Sequence, residues 1–176
     1  MPFTPYHIGP GVPIKAILQD RFSLIIFSGA QVVMDLQPLV VMLTGRGEIH
    51  GSTHTLLGAT ALGVLAALAL RYPTRWLLNL FRPRTIPKVG IKWKTAFLSA
   101  LLGTISHAVI DALIYPDVEP FWPFSAANPL RSGITTPQMI TFCWLSGVVG
   151  LVLYIIARLI KKGRSKVTPL DHSSEE

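Results

Sequence analysis

Apolar residues fall into four long runs, at residues 22–43, 54–71, 95–115 and 138–160, separated by polar, basic or Pro-rich connections. Runs of about 20 apolar residues are long enough for a helix to cross a bilayer, so each predicts a membrane span. Ahead of them, Gly9, Pro10, Gly11 and Pro13 break the chain, and residues 13–19 have room only for a helix too short to span. A turn at residues 19–21 would make this opening a re-entrant hairpin. Between the second and third runs, Trp76, Leu77, Leu80 and Phe81 have the spacing of a short amphipathic helix lying on the membrane surface. Residues 116–137 are rich in Pro and aromatic side chains and fit a loop at headgroup level. The pattern predicts an all-α integral membrane bundle of four transmembrane helices, with a short N-terminal re-entrant helix and an interfacial amphipathic helix. Residues 1–163 form one membrane-embedded domain, and 164–176 are expected to be a disordered cytoplasmic tail.

Composition agrees with the bilayer as solvent. Half the residues are hydrophobic and 14% are charged, which is too apolar for an ordinary soluble domain of 176 residues. The net charge of +7 does not point to nucleic acid, because the basic residues bracket the apolar runs. Seven Lys and Arg lie between Arg71 and Lys94 with no acid among them, and five more lie between Arg158 and Lys166. Positive charge collects on the cytoplasmic side, so residues 72–94 and the C-terminus are assigned there and residues 44–53 and 116–136 face outward. A basic start followed by an apolar core is missing from the first 20 residues, so no secretory signal peptide is expected. With Cys143 as the only cysteine, neither a disulfide framework nor a cysteine metal site is available.

Ionisable residues at membrane depth change the picture. His107 and Asp111 lie four apart in the third run and share one helix face. Such side chains are costly in hydrocarbon and usually face a bundle interior where they bind ions, relay protons or do chemistry. Asp35 sits in the first run, His50 and His54 open the second, and His7 belongs to the hairpin. At about 1.5 Å per residue, Asp35 is about 20 Å up its helix and His107 about 18 Å up its own, so they meet at one level toward the outer leaflet. His7, Asp35, His50, His54, His107 and Asp111 are therefore candidate ligands of a divalent metal, Zn first with Mn or Fe as alternatives, in one or two ions. Asp35 or Asp111 is the candidate general base on metal-bound water, with Glu48, Asp117 and Glu119 in reserve at the rim. Plainer readings stand beside this one. His50 or His54 alone would serve as a helix cap, and His107 with Asp111 would serve as a hydrogen-bonded pair. Gly-rich phosphate loops and Gly-x-Ser-x-Gly elbows are absent.

These residues resemble a family of bacterial inner-membrane proteins described as predicted membrane-bound, metal-dependent hydrolases. That family carries an early Gly-His, and here His7 follows Tyr6. Its Pro-Asp-x-Asp-His segment is matched by Met34-Asp35-Leu36-Gln37, with only the first aspartate kept. Its His-Arg-Gly-x-Thr-His-Ser segment is matched, one residue short, by His50-Gly51-Ser52-Thr53-His54-Thr55. Ser106-His107 with Asp111 matches its Ser-His-x-x-x-Asp helix, and Trp122-Pro123 follows as the family's Trp-Pro does. The likeness covers residues 5–124. Gln37 and Pro38 stand where the family has a carboxylate and a histidine, which weighs against a two-metal site. The resemblance implies hydrolysis of an ester or phosphoester, and a site opening to the outer leaflet suggests a lipid or lipid-linked substrate. A non-catalytic metal-binding membrane scaffold, or a metal or proton carrier, is the alternative. No nucleic-acid partner is expected.

Overall fold

The structure is a computed structural model that describes the backbone of residues 5–167 and the side chains of residues 6–163. A 3-10 turn, Pro5–Ile8, leads into α1, Gly11–Leu18, and a second turn, Gln19–Arg21, leads into α2, Leu24–Met34, and α3, Leu36–Thr44. A third turn, Ser52–His54, precedes α4, Leu56–Leu80; α5 spans Trp93–Ile114 and α6 Thr136–Val167. No strand occurs among the described residues. Four segments are long and apolar enough to cross a membrane: Leu24–Thr44, Leu56–Leu80, Trp93–Ile114 and Thr136–Gly163. The tail expected over residues 164–176 lies, from residue 168, outside the described residues.

The N-terminal hairpin reverses as the Pro and Gly breaks require. At eight residues, α1 is about 12 Å long and spans nothing. The reversal puts Gln19 at φ 47°, an unfavourable conformation for a side-chain-bearing residue. Lys15 holds it there, its Nζ donating to the carbonyls of Gln19 at 2.7 Å and Phe22 at 2.8 Å. The hairpin lies along α6, with Gly9 so close to the Cys143 carbonyl that a Cβ at position 9 would collide with it. Ser23 then caps α2, its Oγ accepting from the Ile26 amide while its own amide donates to Ser99 Oγ on α5 at 2.8 Å.

Two predicted elements take a different form. The first span is not one continuous helix: it breaks at Asp35, between α2 and α3. Pro38 explains the break, because it has no N–H for the Met34 carbonyl four residues back and its ring crowds that carbonyl. The separate interfacial helix expected around Trp76 is instead the end of α4, which runs through Pro73 to Leu80 without interruption. One lost backbone bond at Pro73 does not stop it, since Leu77, Leu78 and Leu80 continue the apolar surface and the helix ladder.

Small residues let α2, α4 and α5 approach closely. Ala30, Ala66, Ala67, Ala96 and Ala100 pack with Ile26 and Ile91 at one end, and Met34, Ala59 and Ala108 pack together nearer the other. At Gly103 a Cβ would stand 2.7 Å from the Phe27 carbonyl oxygen, so α5 can lie against α2 only with glycine there. Apolar surface left on α6, including Leu145, Val148 and Val152, is exposed in the chain, as suits a helix able to cross a membrane. The loop after α5 folds back over the helix ends. Pro120 O accepts from the Leu56 amide at 2.8 Å, and Asn128 Nδ2 donates to the Ala112 and Tyr115 carbonyls at 2.9 and 3.1 Å.

Candidate metal centre

Polar side chains from four elements converge in one buried cluster. Asp35 comes from the break between α2 and α3, His54 from the turn before α4, His107 and Asp111 from successive turns of α5, and His7 from the N-terminal turn. All five residues are at most 5% exposed. Two overlapping groups have donor atoms within 4.8 Å of one another: His7, His107 and Asp111, and Asp35, His54 and His107. Asp111 is the hub. Its Oδ2 lies 3.2 Å from His107 Nε2 and 3.4 Å from His54 Nε2, and its Oδ1 lies 3.8 Å from His7 Nε2. Asp35 Oδ1 stands 3.4 Å from His107 Nε2.

The surrounding hydrogen bonds set the tautomers. Gln31 donates its Nε2–H to the His7 carbonyl at 2.9 Å, which turns its Oε1 toward His107 Nδ1 at 2.8 Å. An amide oxygen can only accept, so His107 carries its proton on Nδ1 and presents a lone pair at Nε2. A parallel chain orients His54. Gln37 donates to the Glu48 carbonyl at 3.2 Å and accepts from the Thr53 hydroxyl, which leaves Thr53 Oγ1 to accept from His54 Nδ1 at 3.0 Å. His54 thus also presents its Nε2 lone pair inward. Burial pushes the His54 and His7 imidazoles down to about 4, so both are neutral at pH 7.

His54 Nε2 and His107 Nε2 are the two buried side-chain atoms without a hydrogen-bond partner among the described residues. Each points at carboxylate oxygens in a buried interior, an arrangement that a divalent cation between them, or a proton on the imidazole, would satisfy. Donor atoms about 2.0–2.2 Å from a tetrahedral zinc stand about 3.3–3.6 Å apart, close to the 3.2–3.4 Å spacings here. Two carboxylates also match the charge of one divalent ion. The residues present fit such an ion.

Of the six ligands expected from sequence, five come together and His50 stands apart from both groups. The stretch from His50 to His54 is turn and 3-10 structure, so these two side chains do not share a helix face. His50 Nδ1 pairs with Asp117 Oδ2 at 2.8 Å, and its ring stacks on Tyr115 at 4.7 Å and meets the His54 ring edge-on at 5.1 Å. It lines an open vestibule of about 990 Å³ at this end of the bundle, with Gln37, Glu48, Asp117, Glu119 and Trp122. Sequence reasoning missed Gln31, Gln37 and Thr53. Gln31 was visible as a polar residue one turn before Asp35 in an apolar run.

Residues 16–167 match the family described as YdjM inner membrane protein. The chain belongs to that family. With four helices suited to crossing a membrane, this YdjM family member is a multi-pass inner membrane protein. The matched region includes Asp35, His54, His107 and Asp111 and leaves His7 before it. Neither the curated proteins nor the solved structures contain a match to the chain.

Proposed function

We propose that the centre binds a divalent metal, Zn first, and serves hydrolysis of an ester or phosphoester bond in a lipid or lipid-linked substrate. The observation that carries this reading is the pair of unpartnered Nε2 atoms on His54 and His107, held by defined tautomers against two carboxylates. When bound, such an ion polarises the scissile group and acidifies water. Asp111 lies close to three imidazoles and acts as a ligand with His54, His107 and His7. Asp35 lies 3.4 Å from His107, in the ligand group that also holds His54 and two residues from Gln37 in the vestibule wall, and in this reading accepts the proton. Glu48, Asp117 and Glu119 collect at this end and the seven cations from Arg71 to Lys94 at the other. That polarity supports a centre toward the outer leaflet with the connection and C-terminus in the cytoplasm.

Hydrolysis of phospholipid and chromogenic esters by zinc-loaded protein in mixed micelles tests the reading. Loss of the general base should lower turnover by about 10²–10⁴ in Asp35→Asn while the metal is retained. Unchanged turnover in Asp35→Asn, or none in the natural protein, would reject it. Burial of all five donors favours a second reading, a non-catalytic metal centre that ties α2, α4, α5 and the N-terminal turn together, since a catalytic metal keeps an open position. Stoichiometric metal without turnover would decide for that reading.

A further inference from the structure

At the end of the bundle remote from the metal centre, the α4–α5 connection is folded back and fixed rather than loose. Asn79 Oδ1 accepts from the Val89 amide at 2.8 Å, and its Nδ2 donates to the Val89 carbonyl at 3.1 Å. Arg71 Nε donates to the Ile91 carbonyl at 2.9 Å, with its guanidinium 4.2 Å from the Trp93 ring centre and 5.0 Å from that of Tyr72. These ties bring Lys88 back against Arg75 across a cavity of about 480 Å³ that Tyr72, Trp76, Asn79 and Leu80 complete.

The chemistry of the cavity is one-sided. No acid occurs between Glu48 and Asp111, and neither Arg75 nor Lys88 forms an ion pair among the described residues. At 25 residues, α4 is about 37 Å long against a hydrocarbon core of about 30 Å, so its last turns stand among headgroups. Trp76, Leu80 and Phe81 are exposed beside the cations, with Phe81 87% exposed. Two cations without an acidic partner, interfacial aromatics and an apolar flank are what an anionic phospholipid presents a complement to: a phosphate with acyl chains directly attached.

We propose that this cavity is a binding site for the headgroup of an anionic phospholipid, with Arg75 and Lys88 on its phosphate and Trp76 and Leu80 against the start of its chains. Juxtamembrane cations attract anionic lipid by a factor of roughly five each, so the pair should give about a 25-fold preference over a zwitterionic lipid. Native mass spectrometry of the detergent-purified full chain, offered equal phosphatidylglycerol and phosphatidylcholine, reads this directly. Preferential retention of phosphatidylglycerol is expected, weakened by added salt, lost in Arg75→Ala with Lys88→Ala, and kept in Arg131→Ala at the other end of the bundle. Should the double variant fail to fold, Lys88→Gln on the exposed connection should lower the preference about fivefold. Equal retention of the two lipids, an unchanged preference in these variants, or displacement of the lipid by inorganic phosphate overturns the proposal.

Discussion

Replacing Gln31 by Leu tests the orientation argument without removing any candidate ligand. The amide is 3% exposed and links two of them, accepting from His107 Nδ1 and donating to the His7 carbonyl. Leucine removes the acceptor at 2.8 Å and leaves the buried His107 N–H only His7 Nδ1 at 3.4 Å, a cost of about 1–3 kcal/mol. Rotation of the ring to relieve that cost turns Nε2 away from Asp111 and Asp35. The expected loss in metal affinity is therefore about 10–100-fold, the range typical when the hydrogen-bond partner of a ligating histidine is removed. Competition with a chromophoric zinc chelator in detergent measures it. Gln31→Glu keeps an acceptor toward Nδ1 and should lose less. Undiminished zinc affinity in a folded Gln31→Leu protein would show that the His107 tautomer is irrelevant, and with it the reasoning from unpartnered Nε2 atoms.

Removing the metal should destabilise the bundle, since the centre joins four elements. At zinc about a thousandfold above its dissociation constant the linkage is about 4 kcal/mol, so strong chelation should lower the melting temperature by about 10 °C, read by scanning fluorimetry. Gly103→Val drives a side chain into the Phe27 carbonyl and separates α2 from α5. Overpacking of this kind costs about 1–3 kcal/mol, and the melting temperature should fall and zinc occupancy with it. His50→Ala should leave metal content unchanged, because His50 is held by Asp117 outside both ligand groups. Elemental analysis showing a lost equivalent would place His50 on a metal.

Much of the fold was legible because the bilayer imposes it. Lengths of apolar runs and charges between them located the four spans, and the Pro and Gly breaks located the hairpin that carries His7 back to the bundle. The i, i+4 spacing of His107 and Asp111 and the depth of Asp35 gave the heart of the candidate site, because helical rise converts sequence position into height. What failed to show was local competition. Pro38 breaks a run whose hydropathy is continuous, and α4 absorbs Pro73, because tolerance of a proline depends on what packs around the freed carbonyl. His50 and His54 had helical spacing in a segment that is not helical. Gln31 acquires its role through His107, 76 positions away, and Gln37 and Thr53 theirs through each other, 16 positions apart, which no single stretch displays. Gln37, where the resembled family has a carboxylate, orients His54 through Thr53 instead.

The central claim is that buried imidazoles and carboxylates here enclose a metal ion. Elemental mass spectrometry of detergent-purified protein, natural and with His107→Ala plus Asp111→Ala, tests it most directly. About one equivalent of zinc or another divalent ion per chain in the natural protein, lost in the double variant, is the expected result. No metal in either protein after loading would contradict the account and leave His7, Asp35, His54, His107 and Asp111 as a buried polar network.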